Sequence, residues 1–282
     1  MKTICCSLTL ALLFAASGCF ENRKAPHRPV TARSMAEAAG KKAGLERLVL
    51  AGQTLDALPQ ELAAMPKLAL LDLRGAQGLQ SFAVLPELRA LRRLDLAATG
   101  LTAVPQEIFK LAWLEHLYLA DNTITSLPPA VAGMSALTYL NLDNNRLSAI
   151  PAETGRLGAL RWLRLNGNLL ESLPPELSAL SNLQRVYLRQ NKLASVPECL
   201  KALPLLEDIS LSDNPLTAIP DWMTGLPKLR QLDLDGCEKV TKMPADLSGW
   251  QKLQVLSLVR CKLPPDEKER VRKALPKVYV AF

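Results

Sequence analysis

Histidine is almost absent from this 282-residue chain: there are two, His27 and His116, in different regions. Aromatic residues are scarce, at 5% of the chain, and no two of its six cysteines have CxxC spacing. Each shortage excludes a class of protein. Two separated histidines and scattered cysteines leave no ligand set for a structural zinc site. So few cysteines in so long a chain do not make a disulfide scaffold. No GxSxG, HExxH, DxDxDG or phosphate-cradling glycine loop occurs, so the common nucleophilic, metal-hydrolytic and phosphate-binding signatures are missing. The expectation is a protein with no cofactor and no metal that is not an enzyme. Excess charge of one sign is also missing from most of the chain. Residues 20–44 hold six basic and two acidic residues, whereas 45–282 hold 27 and 25. A nucleic-acid binder needs a basic stripe on its folded body, so no nucleic-acid partner is expected.

What is abundant is leucine, 58 residues out of 282. Disordered chains are poor in aliphatics, which excludes that class. One side chain used so often, with so few aromatics, points to a core built from equivalent sites.

The first residues read as an address. Met1-Lys2 is a short positive start, and Ile4 to Ala16 is an uncharged apolar run of thirteen positions. A membrane-spanning helix needs about 20 residues, so the run fits the core of a signal peptide instead. Ala16-Ser17-Gly18-Cys19 resembles a bacterial lipobox, with alanine where leucine is commoner. The resemblance implies that 1–18 is a signal peptide, that the Cys19 thiol is acylated, and that the protein is lipid-anchored in a bacterial envelope. Phe20 rather than aspartate follows, which by the same resemblance points to the outer membrane. Simple cleavage after Gly18, giving a secreted protein, stays open. Residues 19–33, polar with proline and arginine, read as a flexible tether.

From Leu45 the sequence repeats every 23 residues as LxxLxLxxNxLxxLPxxLxxLxx, restarting at Leu68, Leu91, Leu114, Leu137, Leu160, Leu183, Leu206 and Leu229. A tenth unit starts at Leu253, after one added residue. The LxLxL alternation predicts a short strand with leucines on one face, and the LPxxLxxL segment a helical turn opened by proline. One unit cannot bury its own leucines, but stacked neighbours can, giving a solenoid. Strands at about 4.8 Å spacing occupy less width than the outer turns, so the stack curves. The pattern across 45–263 resembles the leucine-rich repeat superfamily in its 23-residue LPxxL variety. That implies an α/β solenoid, a right-handed horseshoe with parallel strands on its concave face and short helical turns on its convex face.

The column Asn122, Asn145, Asn168, Asn191, Asn214 is expected to turn the chain and bond neighbouring backbone. Cys237 and Cys261 continue that column, either as packed thiols or as a disulfide. Capping segments are expected at 34–44, where Ser34 and Glu37 form a capping-box pattern, and at 264–282, with a helix and a strand at Val278–Val280.

Strand residues pointing away from the core, the third, fifth, seventh and eighth of each repeat, are expected to tile the concave face. Repeats four to eight place His116, Tyr118, Tyr139, Asn141, Trp162, Arg164, Arg185, Tyr187, Arg189 and Asp208 there. Three of the four tyrosines converge on this face, and Tyr, Trp and Arg are the types enriched in interface hot spots. The expected activity is recognition of a protein or peptide by a monomer anchored to a membrane through lipid. An envelope adhesive or structural protein, a glycan-binding module and a non-catalytic subunit of an enzyme complex remain alternatives.

Overall fold

The computed structural model describes residues 28–282. The expected signal segment 1–18, the expected acylation site Cys19 and His27 lie outside the described residues. Within them, each repeat forms one three-residue strand whose middle side chain enters the core. The sheet begins with β1 (Thr31–Ala32), followed by β2 (Arg47–Val49), β3 (Leu70–Asp72), β4 (Arg93–Asp95), β5 (His116–Tyr118) and β6 (Tyr139–Asn141). It continues through β7 (Trp162–Arg164), β8 (Arg185–Tyr187), β9 (Asp208–Ser210), β10 (Gln231–Asp233), β11 (Val255–Ser257) and β12 (Tyr279–Ala281). The twelve strands pair in sequence order, and every pairing is parallel. This is the expected leucine-rich repeat solenoid.

The register reproduces the 23-residue phase. Leu48, Leu71, Leu94, Leu117, Leu140 and Leu163 align in one column and continue as Val186, Ile209, Leu232 and Leu256. Each is at most 1% exposed. The residue added in repeat nine falls outside the strands, since Gln231 still pairs with Val255. Leucines of the strands and outer turns form one continuous core.

The outer turns are 3₁₀ rather than α-helical. Pro59, Pro105, Pro128, Pro151, Pro174, Pro197 and Pro220 each stand immediately before one. Proline's fixed φ sets the entry, and the tighter winding suits segments of about one turn. Repeat two lacks the LPxxL proline, and its turn is shortened to Leu85–Glu87.

The eighth position corrects the sequence expectation. It does not tile the concave face but leaves the strand in the left-handed region, with φ of 54–71° at Gly52, Gly75, Ala98, Asp121, Asn144, Gly167, Gln190, Asp213, Gly236 and Arg260. Glycine adopts that conformation readily, and asparagine and aspartate tolerate it. The asparagine that follows then binds the neighbouring rung. Asn145 Nδ2 donates to the carbonyls of Leu119 (2.9 Å), Leu142 (3.1 Å) and Asp143 (3.1 Å), while its Oδ1 accepts from Ile124 N (3.0 Å). Asn122, Asn168, Asn191 and Asn214 repeat the pattern. Cys237 and Cys261 are free, buried thiols in the same place, donating to the carbonyls of Leu211 (3.4 Å) and Leu234 (3.2 Å). Burial pushes their pKa values up to about 11 and about 12, so both remain protonated donors at neutral pH.

The first strand falls inside the stretch expected to be the tether. The Val30 carbonyl accepts from Glu46 N (3.0 Å) and Arg47 N (3.1 Å), and fully buried Ala32 aligns with Leu48. Such pairing uses backbone groups and needs only one small inward side chain, so a polar segment can still supply the first strand. Helix α1 (Met35–Ala39) follows, with Ser34 Oγ accepting from Glu37 N (3.1 Å). Glu37 reaches back to Arg33 N (2.9 Å), one residue before the expected capping-box partner. At the far end, α2 (Pro265–Ala274) seals the last repeats. Its Arg270 donates to the carbonyls of Met243 (3.3 Å), Pro244 (2.9 Å) and Ala245 (3.0 Å), in the one repeat among the first nine without a 3₁₀ turn. β12 lies one residue later than the sequence predicts.

Replacement of fully buried Leu165 by alanine is expected to cost about 2–5 kcal/mol of stability. Arg161→Ala, at an exposed site of the same repeat, should cost less than about 0.5 kcal/mol. Denaturant unfolding of both variants tests the alternation, and equal losses would show it misread.

Candidate functional site

Residues three and five of each repeat flank the buried strand leucine and stand on the concave face, one rung above another. The register brings His116, Tyr139, Trp162, Arg185 and Asp208 into one column. Tyr118, Asn141, Arg164 and Tyr187 form the column beside it. In parallel strands such columns place side chains of successive rungs in contact.

The aromatic side chains form a continuous ladder. Ring centroids lie 6.1 Å apart for His116 and Tyr139, 4.8 Å for Tyr118 and Tyr139, and 5.6 Å for Tyr139 and Trp162. Planes tilted by 31–54° are the offset arrangements aromatic pairs prefer. Guanidinium groups close both ends, Arg93 over Tyr118 at 4.2 Å and Arg185 over Trp162 at 4.3 Å. The ladder floors an open depression of about 480 Å³ rimmed by Glu115, Thr138 and Arg161.

A second group adjoins it. Tyr187 Oη donates to Asp208 Oδ2 at 2.8 Å, and Arg164 covers the Tyr187 ring at 5.1 Å. Burial, reinforced by the Asp208 carboxylate that the hydroxyl already serves, pushes the Tyr187 pKa up to about 12. Burial raises the Asp208 pKa as well, against the opposing hydrogen bond from Tyr187. His116 moves the other way: burial disfavours its imidazolium and lowers its pKa.

Three of the expected site residues are engaged within the fold. Arg164 is not an unattached surface side chain, because its Nε donates to the buried Asp143 carboxylate at 2.7 Å. Removing it would strand a charge, so it is part of the scaffold. Arg189 stands apart from the ladder and pairs with Asp213 (3.0 Å), which also holds Arg260 (2.6 Å). Asn141 is turned to the backbone, its Oδ1 accepting from Asp143 N at 2.9 Å. The sequence reading overlooked Arg93, Asp143 and Arg161. Arg93 occupies the same third position as His116, so the repeat count alone could have found it.

The acidic side chains near the C-terminal rungs are bonded individually rather than gathered. Asp233 accepts from Ser210 Oγ (2.9 Å) and Asp235 from Val259 N (2.8 Å). No group of three potential metal ligands occurs among the described residues.

A family model described as "Leucine rich repeat" matches residues 89–147, 135–193, 158–216 and 181–238. The chain belongs to the leucine-rich repeat family. Its similarity to solved leucine-rich repeat structures is broad. It is 29% identical to the ectodomain of the Arabidopsis thaliana membrane receptor kinase GASSHO1/SCHENGEN3, solved in complex with CASPARIAN STRIP INTEGRITY FACTOR 2, with a TM-score of 0.65. That match covers 82% of this chain and 29% of the ectodomain. The plant peptide hormone receptor RGFR1, in complex with RGF2, is 22% identical over 81% of this chain and 46% of its own, with a TM-score of 0.60. A leucine-rich repeat protein of Leptospira interrogans is 22% identical over 89% of this chain and 99% of its own, with a TM-score of 0.47. No curated protein matches the chain.

Tyr187→Phe removes the one side-chain donor to Asp208 and is expected to raise the Asp208 pKa further, because the lost bond favours the ionised form. Carboxyl-carbon NMR titration reads this directly, and an unchanged midpoint would show that the hydroxyl does not hold the carboxylate.

Proposed function

We infer that this leucine-rich repeat protein is a non-enzymatic recognition module. It grips a protein or peptide ligand at the concave centre of repeats four to seven. The observation that carries the reading is the ladder His116–Tyr118–Tyr139–Trp162, held in place by Arg93 and Arg185 before any ligand arrives. Side chains already fixed lose little conformational entropy on binding, so a larger part of their burial contributes to affinity. Tyrosine and tryptophan also supply large contact area with few rotatable bonds. The 29%-identical plant receptor ectodomain was solved with a bound partner, which supports recognition as a use of this scaffold.

Truncating Tyr139 or Trp162 to alanine should weaken ligand binding by about 2 kcal/mol, some thirtyfold. Gln251, Lys252 and Glu176 stand away from the ladder, and their replacement should change affinity by no more than about 0.5 kcal/mol. A ligand recovered with the wild-type chain from an envelope extract, then titrated calorimetrically against each variant, tests the site. Binding indifferent to both aromatics but lost through Glu176 would move it to the convex face.

The reading places the module in a bacterial envelope, tethered through an acylated Cys19 and residues that follow it, in the outer membrane. The support is the sequence Ala16-Ser17-Gly18-Cys19 after an apolar run. No helix among the described residues is long and apolar enough to cross a membrane. Cys19→Ser should release the protein from the membrane pellet and abolish labelling by a fatty-acid probe. Unchanged partitioning would remove the lipid anchor from the reading.

A further inference from the structure

Most arginines of the concave face are neutralised within the fold. Arg74 binds Asp72 (2.8 Å), Arg92 binds Glu115 (3.5 Å), Arg93 approaches Asp95 (3.7 Å), and Arg164 and Arg189 hold Asp143 and Asp213. Arg161 and Arg185 differ. Neither has a carboxylate within 4.0 Å among the described residues, and they stand on adjacent rungs, the Arg185 amide donating to the Arg161 carbonyl (3.0 Å). Arg185 lies over the Trp162 ring, and Arg161 rims the depression that the same ring floors. Two guanidinium groups without an ion pair therefore flank one half-buried indole. Asp208, which pairs in register with Arg185 on the neighbouring strand, accepts from the Tyr187 hydroxyl, and the attraction of Arg185 also favours its carboxylate.

We propose that the concave site takes an extended acidic peptide, with an Asp or Glu side chain seated between Arg161 and Arg185 and a neighbouring apolar side chain against Tyr139 and Trp162. This deepens the recognition function and rests on it. Charge complementarity is the first reason: a guanidinium pair offers several N–H donors in forks that match a carboxylate. Geometry is the second. Arg93 covers one face of Tyr118, Arg185 covers one face of Trp162, and Tyr139 packs between those two rings. A sugar stacks on an open ring face, and here an arginine occupies one face of Tyr118 and one of Trp162. Ring edges, phenol hydroxyls and guanidinium edges suit a polypeptide's carboxylates, carbonyls and aliphatic side chains.

Panning a random dodecapeptide phage library on the immobilised full chain tests this. The expected result is a pool enriched in Asp and Glu beside apolar residues, whose binding weakens as salt rises. The pair Arg161→Gln and Arg185→Gln should weaken the selected peptides about tenfold or more, whereas Arg161→Lys with Arg185→Lys, which keeps the charge, should retain the acidic preference. A pool no more acidic than the input library, but still dependent on Tyr139, would overturn the acidic ligand and leave concave recognition standing. Peptides that bind Tyr139→Ala as well as the wild type would overturn both.

Discussion

No repeat of this protein can bury its own leucines, and everything else follows from that constraint. A three-residue strand and a single outer turn enclose nothing. Each strand leucine is covered only because its equivalents 23 or 24 residues away lie directly above and below it. Stability is therefore shared along the stack, with each rung depending on its neighbours. The asparagine column answers the same constraint for polar groups. Rung-to-rung stacking buries carbonyls that the short strands cannot satisfy, and each amide takes up one from the previous rung and two from its own. Where cysteine replaces asparagine, the thiol keeps only the bond to the previous rung. At both ends a neighbour is missing, so a short strand and a helix are added: β1 with α1, and α2 with β12.

The same stacking sets the concave face. Parallel, in-register rungs place equivalent side chains side by side, so any residue type repeated at position three or five becomes a row. Aromatics on rungs four, five and six thus make a ladder, and arginines on rungs three and seven lie against its ends. A large solvent-facing side chain on such a sheet is fixed by its neighbours above and below. Binding residues and packing residues are consequently less separate than inward and outward alternation implies. Arg164 illustrates this, since it faces outward and yet serves as counter-ion to a buried aspartate.

Electrostatics divide the face. Carboxylates at positions five and seven neutralise Arg74, Arg93 and Arg164, and those pairs are internal. Burial raises the pKa of Asp95, with Asp72 on the adjacent rung adding to the effect. Arg161 and Arg185, beside Trp162, are among the arginines without such a partner, and it is residual charge of this kind, rather than the total, that a ligand meets.

The sequence by itself determined the solenoid, its ten repeats and the inward column, but not the added strand β1. Period and alternation are properties of the chain, and one leucine pattern repeated ten times admits one way of stacking. It also marked the asparagines as structural. It did not show that the eighth residue leaves the strand in a left-handed turn, because Ala98, Gln190 and Arg260 carry no signal for that conformation. Nor did it show that Arg161 and Arg185 are unpaired while Arg164 and Arg189 are not. The four stand at positions two, three, five and seven of their repeats, and position alone does not say which meets a carboxylate. Which of them meets a carboxylate depends on side-chain reach between rungs, and only the tertiary structure, by setting those distances, decided which charges remain available to a partner.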